Sequence, residues 1–334
     1  MKKILIRGPN WIGDSVISIP ALKAVRKAYP DAYLCLVLRK GAAELLKNLP
    51  FIDRIYLEGA DNGLIRKEKF ELGIILTNSF SSAFNFWRWG VKERVGYSSE
   101  HRGLFLTRKV PLPQKLRTVH LLDEYFQILK TAGIQEEKPV PEFYLPLVNI
   151  EKAAEILKKN GLKINNPLIG ICPGASYGPA KVWPKERYLE IINKLMKEQG
   201  SDIVLFGGPK EQDIIAYLLK NAIYGVRITT GPAEDILTSA ALIKKCDLFI
   251  TNDTGPMHIA ASLGVPVIAI FGSTNPIWTA PLGAKTKVLY KKVPCSPCYE
   301  RICKKNKYEC LTGISEEEVF NGIEEFGVIK KGAR

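Results

Sequence analysis

With 334 residues and a mass of 37.3 kDa, the chain exceeds the usual size of one hydrophobic core, which predicts about two domains and excludes a single small binding module. Its 46% apolar, 25% charged and 9% aromatic residues can bury enough surface to offset chain ordering, which excludes disorder, collagen and coiled coil. The net charge of +14 sits mostly in two segments, residues 88–117 with eight Lys or Arg against two acids and residues 285–307 with eight against one, each of which is either a solvated surface or a face for an anionic partner.

The chain opens Met1-Lys2-Lys3-Ile4-Leu5-Ile6 like a secretory signal, but Arg7, Asn10 and Asp14 interrupt the apolar stretch. No apolar run approaches the ~18 residues needed to cross a bilayer, so a cytoplasmic location is expected. Short β-branched runs then alternate with longer amphipathic stretches, the pattern of βα units around a parallel sheet. In the first half the predicted strands are Lys3–Arg7, Tyr33–Leu38, Arg54–Leu57 and Leu72–Leu76. Leu121, Leu122, Tyr125, Phe126 and Leu129 recur at helical spacing within Thr118–Ala132, ahead of Gly133. Residues 135–149 carry three prolines and read as the linker. After it the alternation restarts, with strands at Leu168–Cys172, Asp202–Phe206, Val226–Thr229, Asp247–Thr251 and Pro266–Phe271. The expectation is an α/β protein of two doubly wound, Rossmann-like domains, 1–148 and 149–334, facing across a cleft, with the C-terminal segment able to pack back on the first.

Four polar loops fall at strand ends. Gly8-Pro9-Asn10-Trp11-Ile12-Gly13-Asp14-Ser15 leads from a strand into a helix, which suits anion binding although it does not match G-x-G-x-x-G. A carboxylate would repel a phosphate there, so Asp14 is either a helix N-terminal stabiliser or a general base. Pro173-Gly174-Ala175-Ser176-Tyr177-Gly178-Pro179-Ala180-Lys181 permits close approach to phosphate, with Lys181 as the cation or else a solvated loop lysine. Phe206-Gly207-Gly208-Pro209-Lys210-Glu211 ends on an acid that can accept ribose hydroxyls or cap a helix. Thr251-Asn252-Asp253-Thr254-Gly255-Pro256-Met257-His258 offers free N–H donors at Thr254 and Gly255 for a pyrophosphate, and His258 is either a packed or a functional imidazole. Cys35, Cys172 and Cys246 lie in apolar runs as core filler, whereas Cys295, Cys298, Cys303 and Cys310 crowd one segment as a structural zinc site, a pair of disulfides or free thiols.

Taken together, Asn10-x-x-Gly13-Asp14, the loop from Pro173 through Lys181-x-Trp183-Pro184, and Asn252-Asp253-Thr254-Gly255-x-x-His258 followed by Ala260-Ala261-x-x-Gly264-x-Pro266 resemble glycosyltransferase family 9, the ADP-heptose:lipopolysaccharide heptosyltransferases, and within it the heptosyltransferase II group. The resemblance implies a two-domain fold of the glycosyltransferase B type and an inverting transfer of L-glycero-D-manno-heptose from ADP-heptose to the inner core of lipopolysaccharide. It implies Asp14 as base, Lys181 on the donor phosphate, and Ser176, Tyr177, Glu211, Asp253, Thr254, Gly255 and His258 around the donor. Asn10, Gly13, Arg94 and Arg102 are expected on the acceptor side. Ser176 and Tyr177 stand where several relatives carry paired threonines. No Asp-x-Asp motif lies in these loops, so no cofactor is required, a structural zinc at the four-Cys segment being one alternative there. The implied partners are ADP-heptose, the lipid A-linked inner core and an anionic inner membrane touched peripherally from the cytoplasmic face, with no nucleic acid. The alternatives are a family 9 transferase with another acceptor or ADP-sugar, or a non-catalytic basic nucleotide or nucleic-acid binder.

Overall fold

The computed structural model describes residues 1–99, 101–112, 117–162, 166–223, 228–230 and 235–328. The chain forms two compact units, Met1–Tyr144 and Leu145–Arg334; the sequence reading put the boundary at 148/149, and residues 134–146 run without regular structure between them.

In chain order the first unit comprises β1 (Lys3–Arg7), α1 (Ile12–Ala28), β2 (Tyr33–Leu38), α2 (Lys40–Leu46), β3 (Arg54–Leu57), α3 (Asn62–Glu68), β4 (Leu72–Ile75), α4 (Phe80–Arg88), β5 (Glu93–Tyr97), β6 (Arg108–Val110) and α5 (Leu121–Thr131). The second comprises α6 (Leu147–Lys159), β7 (Leu168–Cys172), α7 (Lys185–Gln199), β8 (Asp202–Phe206), α8 (Gln212–Asn221), β9 (Ile228–Thr230), α9 (Ile236–Lys245), β10 (Leu248–Asn252), α10 (Gly255–Ser262), β11 (Val267–Phe271), α11 (Pro276–Thr279), β12 (Thr286–Tyr290), α12 (Glu309–Thr312) and α13 (Glu316–Glu325).

Every described strand pairing is parallel. Parallel sheets are covered on both faces, so their inner strands read as apolar runs, as β2, β7 and β11 do. The strand orders are β3-β2-β1-β4-β5-β6 and β12-β11-β10-β7-β8-β9. Both are the same doubly wound arrangement, whose order reverses between β1 and β4 in one sheet and between β7 and β10 in the other. Such switch points open a crevice at the carboxyl ends of the strands. Two of the polar loops singled out by sequence, after β7 and after β10, flank the second switch point, and the Gly8–Ser15 loop lies at the first.

The core of the first unit gathers Leu5, Cys35, Val37, Tyr56, Phe70, Ile75 and Phe86, and that of the second Ile169, Trp183, Tyr188, Leu205 and Ile250. Burial pushes the Cys35 thiol up to about 12 and the Cys172 thiol up to about 11, as expected of cysteines that only fill space. Three strands, β5, β6 and β12, were not anticipated, and Val226 and Arg227 of the strand predicted at Val226–Thr229 lie outside the described residues. Helix α13 packs against α7, β11 and β12, with Val319, Phe320 and Ile323 in the second core. Residues 329–334, the end of that C-terminal segment, lie outside the described residues.

Candidate active site

The loops of the second unit are joined by one side chain. Asn252, the last residue of β10, is 0% exposed and uses both ends of its amide. Its Nδ2 donates to the carbonyls of Pro173 (2.8 Å) and Gly174 (3.2 Å), and its Oδ1 accepts from the Trp183 N–H (3.1 Å) and the Tyr188 hydroxyl (2.9 Å). A buried amide so fully satisfied fixes the loop after β7 against the end of β10. The sequence reading placed Asn252 in a motif without giving it a role.

Beside it, Asp253 Oδ2 accepts from Lys181 Nζ (2.5 Å) and from the Thr274 hydroxyl (2.6 Å). This buried ion pair holds an ammonium group at the crevice, and Thr274, which sequence reasoning missed, anchors its carboxylate. Thr254, the N-cap of α10, turns its hydroxyl toward Thr251 (3.2 Å) and Cys172 (4.0 Å) and makes no side-chain cap. Pro256 contributes no N–H, so Gly255 and Met257 present the backbone donors at a positive helix end. His258 follows within the same helix and is buried. Lys181, Asp253, Thr254 and Gly255 therefore converge on one anion-attracting corner.

Glu211 is buried, accepting from the Ser176 hydroxyl (3.0 Å) and the Gly208 N–H (2.8 Å). It thereby ties the β7 loop to the β8 loop, and Gly174 is a glycine because a Cβ would lie 2.0 Å from the Glu211 side chain. Tyr177 donates its hydroxyl to the Tyr299 carbonyl (2.5 Å), while Lys181 Nζ and the Arg301 guanidinium lie 4.8 and 5.3 Å from its ring centroid. Gly178 sits at φ +150°, with the Arg301 carbonyl 2.5 Å from where a Cβ would be. The basic segment from 285 onward is thus packed onto the donor-type loop.

In the first unit, Asn10, Gly13 and Asp14 share the loop and helix start after β1. Arg7 is buried at the end of β1, and burial pulls its guanidinium below the ordinary arginine range despite Glu58. It donates to Asn10 Oδ1 (2.6 Å), Glu58 Oε2 (2.8 Å) and the Gly8 carbonyl (2.5 Å), so this unanticipated arginine sets the shape of the loop. Gly13 is buried in the first turn of α1. Trp11 is the N-cap, and Asp14 lies two residues inside the helix, in its first turn and half-buried. Burial holds the Tyr125 phenol of α5 well above its ordinary value, and the Asp14 charge adds to that.

Arg94 and Arg102, expected on the acceptor side, are engaged within the first unit. Arg102 is 0% exposed and donates to the Thr77 carbonyl (2.6 Å). Arg94 spends its guanidinium on the carbonyls of Phe105, Val91 and Lys92, and desolvation pulls it below the ordinary arginine range. Half-buried Arg94 ties three carbonyls together, as a planar five-donor group can, and buried Arg102 anchors the segment before β6 to Thr77. Arg102→Ala is therefore expected to lower stability by about 2–4 kcal/mol, from a cavity and an orphaned carbonyl, with donor affinity retained in the protein that folds. A thermal melt beside ADP titration checks this, and an unchanged melting temperature would contradict the buried placement.

Cys295, Cys298, Cys303 and Cys310 are free thiols, Cys298 exposed and the others half-buried. Backbone N–H groups of residues 305–308, Tyr308 foremost, pull the Cys303 thiol below its ordinary value, while burial and then the three other sulfurs raise that of Cys310. Among the described residues no three His, Cys, Asp or Glu side chains are arranged to hold a metal ion.

Residues 64–309 match glycosyltransferase family 9 (heptosyltransferase). The chain is 32% identical to lipooligosaccharide heptosyltransferase 2 of Haemophilus ducreyi over 86% of this chain and 88% of that one. It is 28% identical to lipopolysaccharide heptosyltransferase 2 of Escherichia coli, covering 86% and 87%. Among solved structures, a glycosyl transferase family 9 protein from Veillonella parvula superposes with a TM-score of 0.88 at 26% identity, covering 97% of both chains. The E. coli ADP-heptose lps heptosyltransferase II superposes with a TM-score of 0.81 at 24% identity, covering 98% of both.

Proposed function

Because the chain belongs to glycosyltransferase family 9, we propose that it transfers heptose from ADP-heptose to the inner core of lipopolysaccharide, the reaction of the heptosyltransferase 2 relatives. The observation that carries this reading is the convergence of Lys181, Asp253 and the start of α10 at the switch point of the second sheet. ADP leaves when the bond from its terminal phosphate oxygen to the anomeric carbon breaks, and negative charge gathers on the pyrophosphate. Lys181 and the N–H groups of Gly255 and Met257 stabilise that charge. The acceptor hydroxyl attacks the opposite face of the sugar and gives its proton to the Asp14 carboxylate, so the anomeric centre inverts. Glu211, with Ser176 and Tyr177, shapes the loop that receives the nucleoside, and His258 supports the helix start from within. No metal cofactor takes part in this scheme.

Among the described residues no helix is long and apolar enough to cross a membrane. We place the reaction at the cytoplasmic face of the inner membrane, which the protein touches peripherally, because its acceptor is lipid-anchored.

Mass spectrometry of products from ADP-heptose with defined truncated lipopolysaccharides tests the function. Addition of one heptose to a single truncation is expected; equal use of another ADP-sugar, or no product with any acceptor, overturns it. ADP is also expected to raise the melting temperature, since a ligand at 100 times its Kd stabilises the folded state by about 2.7 kcal/mol. A melting temperature unmoved by millimolar ADP would sink the donor-site assignment.

A further inference from the structure

The exposed side of α4 and the turn before β6 carry a cluster of rings that reaches from Phe105, packed on the edge of the first core, out to the exposed Phe80 and Trp87. Phe105 lies 5.4 Å from Phe80, 5.3 Å from Phe84 and 5.5 Å from Trp87, centroid to centroid, and Phe84 lies 5.7 Å from Trp87. Phe80 is 43% exposed and Trp87 51%, while the adjacent Leu104 is 82% exposed. Single exposed apolar residues need no explanation, but a contiguous aromatic surface marks a binding face.

We propose that this face docks on an anionic lipid surface, through Phe80, Phe84, Trp87, Leu104 and Phe105. Arg88 in the last turn of α4 and Lys109 on β6 are both exposed, and the Lys109 stem runs beside Gly103, next to Leu104. Trp and Phe rings rimmed by Lys and Arg suit the boundary between acyl chains and negative headgroups, each nearby cation adding about fivefold to binding. Glu93, an acid of this region, is paired with Arg108 at 2.8 Å. Among the described residues of segment 88–117, Arg88, Lys92, Arg108 and Lys109 are exposed against the single exposed acid Glu93, so a second copy of the chain would meet a like-charged face, whereas an anionic bilayer is complementary to it.

Position supports the same reading. Helix α4 follows β4, which pairs directly with β1, so the aromatic face begins at the same carboxyl edge of the sheet as the Asn10–Asp14 loop. This inference deepens the proposed function by supplying the surface on which a lipid-anchored acceptor is met.

The test is co-sedimentation of the full chain with phosphatidylcholine vesicles, with and without phosphatidylglycerol, at low and high salt. Binding to the anionic vesicles that weakens with salt is expected. The pair Trp87→Gln and Leu104→Gln should lower it about tenfold or more, and Arg88→Gln with Lys109→Gln should lower it chiefly at low salt. Melting temperatures should hold, because all four residues are exposed. Wild-type protein that ignores anionic vesicles overturns the inference, as do variants that bind as well as wild type, or lipid-free protein whose dimerisation the aromatic variants abolish. Transfer to an acceptor stripped of its acyl chains is measured in parallel. It should be unchanged in these variants, and its failure in the wild type would count against the proposed reaction rather than against the surface.

Discussion

Asp14→Asn is expected to lower single-turnover sugar transfer by roughly 10²–10⁴-fold, the usual contribution of general-base catalysis, while ADP still raises the melting temperature. Asn keeps the shape of the side chain but cannot accept the proton. The competing role for Asp14 is helix stabilisation, and the structure limits what that role is worth. The N-cap of α1 is Trp11, so Asp14 is not the capping residue, and as a first-turn charge it is worth about 0.3–1 kcal/mol to the helix. The substitution should accordingly move the melting temperature very little. Near-normal transfer would remove Asp14 from the mechanism, and a collapse of stability would show that its contact with the α5 region, where its charge is felt by Tyr125, matters more than its chemistry.

Lys181→Met is the second large effect. Transfer should fall by roughly 10²–10³-fold, the cost of removing one preorganised electrostatic contact to developing charge. Stability should fall as well, by about 3–5 kcal/mol, because the Asp253 carboxylate would stay buried with only Thr274 to satisfy it. Asp253→Asn added to Lys181→Met should restore much of the melting temperature without restoring transfer. That split separates the two jobs of the ion pair. A double variant no more stable than Lys181→Met would mean that the pair is not the buried unit described here.

The strands that were legible in sequence are those bounded by clear turn signals. Lys3–Arg7, Tyr33–Leu38, Arg54–Leu57, Leu168–Cys172 and Asp202–Phe206 agree with β1, β2, β3, β7 and β8 to the residue. The missed strands also carry charge, Glu93-Arg94 in β5, Arg108-Lys109 in β6 and Lys287 in β12, and lie within the two strongly basic segments, where the reading followed charge instead of β pattern. β6 and β12 are edge strands, where charge discourages pairing with another chain and hides the β pattern from a reader of hydrophobicity. The family itself was legible because its loops lie in order along the chain. The direction of a side chain was not. Arg94 and Arg102 looked like an anion-binding surface because a linear reading counts charge without knowing which guanidinium turns inward. Asn252 and Arg7 escaped for the complementary reason, since their partners at Pro173, Trp183, Val37 and Glu58 are far away in sequence.

The order of the strand pairings also bears on how the protein comes into being. Ile4 pairs with Leu72 at the centre of the first sheet, and Leu168 of the second with Asp202, but no described strand pairing crosses from one unit to the other. The first sheet can therefore close as soon as its own residues have left the ribosome. At about 5–20 residues per second, the rest of the chain needs roughly 10–40 s to follow. During that interval the nascent protein already displays Trp87 and Leu104 beside their cations, before the loops after β7 and β10 have been synthesised. Synthesis next to the bilayer would then capture the first half early, and the second half would fold on a molecule already at its workplace.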